Sequence, residues 1–143
     1  MRALLVLLAI LIVPALAWGE MLSPPDAERR AEHGELTIVD VRLPAEWAET
    51  GLPRGALGIP LQDSATYRLR PGFLDDLLQA VGGDPDRPVA LICASGNRSA
   101  LAADLLARAG FSHVYDISEG MVGGPNGPGW LERDLPTEPC RAC

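Results

Sequence analysis

The sequence predicts an α/β fold, with a central parallel sheet and helices on both of its faces. Strand-like segments alternate along the chain with segments of helical character, which is the order of a parallel sheet with crossover helices. Residues 88–93, PVALIC, form a continuous apolar run, which is typical of a strand covered on both faces. The chain has 143 residues and is 48% hydrophobic, enough for one domain with a packed core.

The first predicted elements follow from capping residues and from β-branched composition. Ser23 is a candidate N-cap and Pro24 suits the first helical position, so we expect a first helix that stops at Gly34. Residues 36–41, LTIVDV, are rich in β-branched side chains, which indicates a buried strand. The alternation continues with a short helix at 44–50, a short strand at 56–61 and an amphipathic helix at 71–81.

The second half of the chain continues this order after the apolar strand. Residues 98–110 predict a helix that ends in a glycine. Residues 113–117, HVYDI, predict a further strand, and the Gly/Pro-rich residues 123–129 predict a loop. A last helical turn is expected at 130–134, and we expect the chain to fray from Pro136.

The N-terminus has the layout of a secretory signal peptide. Arg2 gives a positive start, residues 3–13 are an uninterrupted apolar run, and residues 15–17 form a small-x-small cleavage site. A retained membrane anchor is the alternative, but the run is shorter than the roughly 20 residues that a span needs. We therefore expect cleavage after Ala17, a periplasmic or secreted protein, and no membrane association after cleavage. The expected organisation is a signal peptide at 1–17, one domain at 22–136 and a tail at 137–143.

The charge balance is acidic and argues against several classes of partner. Asp and Glu number 19 against 12 Lys and Arg, which gives a net charge of −7. Without a basic stripe, neither nucleic acid nor an anionic membrane surface is an expected partner. His33 and His113 have no second good metal ligand nearby in the sequence, so we expect no metal site. We expect a monomer.

Three cysteines are an odd number for an exported chain. Cys140 and Cys143 form a C-x-x-C pair, which an oxidising compartment favours as a disulfide. This pair is either an exposed disulfide without a further role or a candidate redox pair. Cys93 is the remaining thiol, and an unpaired thiol is uncommon in such a compartment.

The loop after Cys93 has the composition of an anion-binding loop. Cys93 ends the most apolar strand, and ligands of open parallel sheets bind beyond the carboxyl ends of the strands. Small or turn-forming residues follow it: Ala94, Ser95, Gly96 and Asn97. Their backbone N–H groups, the positive end of the next helix and the Arg98 side chain all favour a negatively charged, reactive thiolate. The alternative is that Cys93 is a small buried hydrophobic residue.

Four segments resemble the rhodanese-like sulfurtransferase family. CASGNRS, residues 93–99, is similar to the family's C-x-x-G-x-R-S active loop, and DVRLPAEW, residues 40–47, is similar to its D-V-R-x-x-x-E-aromatic segment. GALGIPL, from Gly55, and ISEGMVGG with the following GW, from Ile117, resemble two further family segments. The segments occur in the family's order over about residues 22–136, and together they are specific. The resemblance implies a rhodanese-like domain.

The resemblance also implies a mechanism and a set of site residues. The Cys93 thiolate would attack the sulfane sulfur of a small sulfur-containing anion, either thiosulfate or a persulfide, and become a cysteine persulfide. A thiol acceptor, either a small molecule or a protein, would then take the sulfur, and this mechanism needs no metal and no organic cofactor. Arg98 would act with Cys93, and the sulfur would be held by the backbone of residues 94–99: Ala94, Ser95, Gly96, Asn97, Arg98 and Ser99.

Two other classes of function stay open at this point. Cysteine phosphatases use Cys-x5-Arg, whereas four residues separate Cys93 from Arg98, and the shorter ring suits one sulfur atom better than a tetrahedral phosphate. Arsenate reductase or phosphatase-like chemistry nevertheless remains an alternative, because the loop binds anions. A non-catalytic binding or sensor module with the same fold is the other alternative, against which the intact Cys93 argues.

Two pairs of residues outside the loop have a structural and a functional interpretation. Asp40 and Arg42 follow a core strand, and the structural interpretation is that they form an ion pair, with Glu46 as a further candidate partner. The functional interpretation is that Asp40 orients the active loop through Arg98. Reduced Cys140 and Cys143 could form a mobile dithiol tail that takes sulfur from a Cys93 persulfide.

Overall fold

The structure, a computed structural model, describes residues 19–141 and 143. The expected signal peptide at 1–17 lies outside the described residues, so its cleavage stays a prediction. Within the described part of the chain, no helix is long and apolar enough to span a bilayer. The elements are β1 Glu20–Met21, α1 Pro24–Glu32, β2 Thr37–Asp40, α2 Pro44–Thr50, β3 Leu52–Pro53, β4 Leu57–Gly58, α3 Phe73–Ala80, β5 Val89–Ile92, α4 Asn97–Arg108, β6 Val114–Asp116, α5 Gly129–Glu132 and β7 Thr137–Glu138.

The centre of the molecule is a five-stranded parallel sheet, in the order β1-β6-β5-β2-β4. All four residues of β5 are buried, as the apolar run predicted for a central strand. In register, Asp40 of β2 lies beside Ile92 of β5, and Gly58 of β4 lies beside Asp40. The carboxyl ends of these strands therefore meet at one edge, with Cys93 directly after β5.

Helices cover both faces of the sheet, which confirms the predicted fold class. One core cluster joins Leu91 and Cys93 to side chains of α3 and α4, among them Leu77 and Leu106. The other joins Ala90 and Ile92 to the opposite face, where α1 and α5 contribute Ala27 and Trp130. Successive side chains of a strand point to opposite faces, so the continuous apolar sequence of β5 serves both clusters.

Several strands are shorter than predicted or were not predicted. The strand expected at 56–61 is reduced to Leu57–Gly58. Beyond it, Ile59 N still donates a hydrogen bond to the Asp40 carbonyl oxygen of β2, at 3.0 Å. β1, β3 and β7 each have two residues, too few to show an alternating pattern in the sequence.

The expectation of a frayed chain from Pro136 is wrong for β7. Leu52 pairs with Glu138 and Pro53 with Thr137 in an antiparallel ladder. The Pro136 carbonyl oxygen accepts hydrogen bonds from Arg54 N and from Trp130 Nε1, both at 3.0 Å. These partners come from distant parts of the chain, so local composition gave no sign of them.

Candidate active site

Cys93 lies at the carboxyl end of the central strand and is the free cysteine of the described chain. The residue is 1% exposed, and its side chain belongs to the core cluster on the α3 and α4 face. The segment after β6 fixes its main chain, because Met121 N donates to the Cys93 carbonyl oxygen at 2.8 Å. A reactive group at this position is rigidly held and shielded from bulk water.

The loop after Cys93 folds back over the sulfur, as its composition predicted. Gly96 N donates to Cys93 Sγ at 3.2 Å, and the thiol donates to Ser99 Oγ at 3.4 Å. Ser99 Oγ in turn donates to the Gly96 carbonyl oxygen at 3.1 Å. The first turn of a helix leaves its amides without intrahelical partners, and α4 begins at Asn97. Within the described residues, no protein acceptor takes the amides of Ser95, Asn97 or Arg98, so these are available to an anion beyond the sulfur.

Gly96 is required where the loop turns. Its φ is +104°, a conformation that L side chains rarely adopt. A Cβ on Gly96 would also lie 2.3 Å from the Ser118 carbonyl oxygen. Opposite, Val122 N donates to the Ala94 carbonyl oxygen at 2.9 Å, so the segment after β6 forms the second wall of the loop.

Arg98 is held by Glu46 rather than pointing freely at the sulfur. Its two terminal nitrogens, Nη1 and Nη2, donate to the two carboxylate oxygens of Glu46, each at 2.7 Å. The Arg98 guanidinium lowers the pKa of Glu46 below its usual range, although partial burial opposes this. Glu46 raises the pKa of Arg98, and the nearby Cys93 sulfur adds a smaller contribution in the same direction. The positive charge is therefore close to the thiol but already paired.

Asp40 and Arg42 form a buried ion pair, which is the structural interpretation of these two residues. Arg42 Nη2 lies 2.7 Å from Asp40 Oδ2, and both residues are almost fully buried. Arg42 also donates to Thr50 Oγ1 and to the Gly51 carbonyl oxygen, each at 2.8 Å, so it holds the end of α2. The described side-chain bonds of Asp40 go to Arg42, and any effect of Asp40 on the loop is therefore indirect.

The C-terminal cysteines are joined as a disulfide, with their Cα atoms 5.5 Å apart. The disulfide lies at the rim of a cavity of about 580 Å³ whose walls include Pro44, Trp47 and Leu52. Because β7 anchors the chain as far as Glu138, the expected mobile tail is reduced to the few residues beyond that strand.

Three acidic residues near the loop have roles that the sequence did not reveal. Glu46, considered there as a partner of Arg42, offers Arg42 only its carbonyl oxygen, at 3.4 Å, and gives its carboxylate to Arg98. Glu119 accepts from Arg133 at 2.8 Å and from Gly129 N at 3.1 Å, which closes the Gly/Pro-rich loop. Asp116 is buried beside α4. Arg98 lies 52 positions from Glu46, and Arg133 lies 14 positions from Glu119, so no local signal indicated these contacts.

The metal-ligating side chains of residues 19–141 and 143 are dispersed. In that part of the chain, no three His, Cys, Asp or Glu side chains converge as metal ligands would.

Comparison with known proteins gives one consistent family. The family model described as "Rhodanese-like domain" matches residues 23–124. An uncharacterized protein of Rickettsia prowazekii is 32% identical over 102 residues, which cover 69% of this chain and 80% of that protein. The solution structure of a polysulfide-sulfur transferase homodimer from Wolinella succinogenes is similar with a TM-score of 0.63 and 32% identity, over 90% of this chain and 84% of that one. A tRNA uridine(34) hydroxylase of Chlamydia felis is 30% identical over 105 residues, or 73% of this chain but 30% of the hydroxylase.

Proposed function

The chain belongs to the rhodanese-like family, and we propose that it is a sulfurtransferase that carries sulfur as a Cys93 persulfide. The observation that carries the proposal is the loop that folds over Cys93 Sγ, with one amide on the sulfur and further amides free beyond it. This arrangement suits a thiolate and the added sulfur of a persulfide, because amide donors stabilise negative charge in a site that excludes water.

The proposed first step loads the sulfur. The Cys93 thiolate attacks the sulfane sulfur of thiosulfate, a bond forms between Sγ and that sulfur, and the sulfur–sulfur bond of thiosulfate breaks to release sulfite. The persulfide keeps one negative charge and sulfite leaves with two, so the three charges of the reactants are conserved. Polysulfides and low-molecular-weight persulfides are donors of the same class, and the Wolinella succinogenes protein is named for polysulfide.

The proposed second step unloads it. The acceptor thiol gives its proton to the terminal sulfur of the anionic persulfide, and the resulting acceptor thiolate attacks that sulfur. A new, protonated persulfide forms on the acceptor, the sulfur–sulfur bond to Cys93 breaks, and Cys93 leaves as a thiolate. Gly96 N and Ser99 Oγ lie within hydrogen-bond distance of Sγ, where they can stabilise this leaving group. The acceptor is a small thiol or a protein thiol.

The proposal includes export of the protein, which the N-terminal pattern of a positive start, an apolar run and a small-x-small site supports. In an oxidising compartment the tail cysteines would pair, as they do in the structure, and leave Cys93 as the reactive thiol. We also propose that the protein is a monomer and that its reaction needs no metal and no organic cofactor.

The experiment is an intact-mass measurement of the purified protein before and after incubation with thiosulfate, polysulfide or glutathione persulfide. We expect a gain of one sulfur atom that a reductant removes and that the variant Cys93→Ser does not show. The variant Asp104→Asn, which changes a half-exposed residue of α4, serves as a matched control and should gain sulfur like the wild type. If none of the three donors adds sulfur to the wild type, the proposal is wrong and a binding or sensor module takes its place.

A further inference from the structure

The disulfide between Cys140 and Cys143 is a reactive group that the proposed sulfur transfer leaves unused. Cys143 is exposed and Cys140 is half-buried, so the disulfide is in contact with solvent. Exposed disulfides exchange with thiols more readily than buried structural ones. The bond also closes a loop of very few residues, so it contributes little to stability and its opening should leave the fold intact.

The chain holds this disulfide against the body of the domain. β7 pairs with β3 as far as Glu138, and Glu138 Oε1 accepts a hydrogen bond from Gly55 N at 3.2 Å. Cys140 follows after one intervening residue, Pro139, whose ring restricts the backbone. The first sulfur of the pair is therefore close to an anchored strand, and the covalent bond ties the second sulfur to it.

The cavity beside the disulfide has the size and composition of a small-molecule site. Its volume of about 580 Å³ lies within the range of such sites, roughly 300–1,000 Å³. Pro44, Trp47 and Leu52 contribute apolar walls, and both cysteines line the same cavity. A thiol held in this cavity would therefore have its own sulfur close to the disulfide.

Two charged residues that line the cavity indicate which thiol it suits. Arg141 directly follows Cys140 and is exposed, and within the described part of the chain it takes part in no ion pair. Glu138 contributes a carboxylate to the same cavity. A ligand carboxylate complements Arg141 and a ligand ammonium group complements Glu138. Both groups occur together in small thiols that are built from amino acids.

We propose that the Cys140–Cys143 disulfide is a second reactive site, which oxidises a small thiol of the amino-acid type bound in the cavity. The ligand thiolate attacks Sγ of the exposed Cys143, a mixed disulfide forms, and Cys140 leaves as a thiolate. A second ligand thiolate attacks the ligand sulfur of the mixed disulfide, which releases the ligand disulfide and frees Cys143 as a thiolate. Two electrons pass from two ligand thiols to the protein disulfide, and the two thiol protons pass to the two cysteines. This site does not depend on Cys93 or on the proposed sulfur transfer.

The test is a reduction assay with glutathione, a thiol that carries carboxylates and an ammonium group. It uses the full chain with the variant Cys93→Ser, so that Cys140 and Cys143 are the only cysteines. Iodoacetamide stops the reaction at chosen times, and intact mass counts the alkylated cysteines. We expect the rate of reduction to level off at millimolar glutathione, because binding in the cavity precedes exchange. A disulfide without a binding site would give a rate proportional to the thiol concentration.

A neutral thiol and two arginine variants make the test specific. β-Mercaptoethanol lacks both charged groups, so its rate should stay proportional to its concentration. At low thiol concentration, Arg141→Gln should slow reduction by glutathione by a few-fold more than reduction by β-mercaptoethanol. Arg87→Gln, which changes an exposed arginine before β5, is the matched control and should behave like the parent.

Two results would overturn the proposal. One is a glutathione rate that stays proportional to concentration throughout, and the other is a glutathione rate that Arg141→Gln and Arg87→Gln change equally. Because Cys93 is absent from this assay and no sulfur donor is used, either result is independent of the sulfur-loading experiment on Cys93.

Discussion

The chemistry of the site depends on a paired charge beside a buried thiol. The Cys93 residue is almost inaccessible to solvent, and the positive charge of Arg98, in the first turn of α4, is bonded through both terminal nitrogens to Glu46. Glu46 also accepts from Leu43 N at 2.9 Å, so one carboxylate caps α2 and holds the first turn of α4. The backbone amides of the loop are therefore the hydrogen-bond donors that face the sulfur. The paired charge of Arg98 modifies the electrostatic potential around them.

The variant Glu46→Gln tests this balance. Glutamine can still accept from Leu43 N, but it leaves the charge of Arg98 unpaired. We expect Cys93 to react with the anionic reagent iodoacetate faster, relative to neutral iodoacetamide, by a few-fold, because the local charge becomes more positive. The measurement is the ratio of the two alkylation rates. Asp104→Asn, which breaks an exposed pair, should leave the ratio unchanged, and an unchanged ratio in Glu46→Gln would contradict the role given to this ion pair.

The same variant has a predicted pH dependence of stability. Arg98 lowers the pKa of Glu46, so the pair stabilises the fold above the pH at which an unfolded glutamate titrates and loses this effect as the pH falls through the lower folded value. We expect Glu46→Gln to be less stable than the wild type by about 1 kcal/mol at neutral pH, since solvent screens a partly exposed pair. In urea unfolding, the difference should begin to shrink as the pH falls below about 4.3, the ordinary pKa of a glutamate, and should disappear once the pH is below the lowered folded pKa, where the wild-type carboxylate is protonated.

At the scale of elements, the site is made where two loops meet at the carboxyl ends of parallel strands. The loop after β5 and the segment after β6 approach so closely that a Cβ on Gly120 would lie 2.3 Å from the Ala94 carbonyl oxygen. Gly120 has φ +71°, and Gly96 on the facing loop is also in the left-handed region. Both glycines therefore combine backbone freedom with the absence of a side chain at a close contact.

The comparison of Gly96→Ala with Gly55→Ala separates these two effects. Gly55 also has a positive φ, +73°, but nothing lies within 4 Å of the place that a Cβ would take, so its replacement should cost about 1–2 kcal/mol from backbone strain alone. Gly96→Ala adds a clash with the Ser118 carbonyl oxygen, and we expect a loss of at least about 3 kcal/mol. Urea unfolding measures both variants, and equal losses would show that the contact with Ser118 is unimportant.

For the whole molecule, the C-terminal segment is part of the domain. β7 pairs with β3, and the disulfide beyond it lines the cavity beside Trp47, next to β4 at the edge of the sheet. Gly58 of β4 is two strands away from Ile92 of β5, or about 10 Å at the usual strand spacing. The cavity that the disulfide lines therefore borders β4, two strands away from the strand that ends at Cys93.

The double variant Cys140→Ser/Cys143→Ser tests whether the tail participates in catalysis. The disulfide closes a very short loop, so we expect its loss to cost at most about 2 kcal/mol of stability. Loading of Cys93 from thiosulfate, read by intact mass, should match the wild type. If the double variant fails to load sulfur while remaining folded, the tail is needed for the first step. If it loads normally but releases sulfur more slowly than reduced wild type, the dithiol tail acts as a sulfur relay.

The sequence by itself determined the fold class and the position of the Cys93 thiol at the end of a central strand. The apolar run of β5 needs both faces covered, and the small residues from Ala94 to Asn97, followed by a helix, need a tight turn at the strand end. These requirements involve only residues that are close together in the chain, so composition and spacing predicted them. The pairing of Arg98 with Glu46, the docking of β7 on β3 and the burial of Asp116 beside α4 were decided only by the tertiary structure. Each joins residues that are far apart in the chain, and charge or hydrogen-bonding capacity alone does not specify a partner until packing brings the groups together.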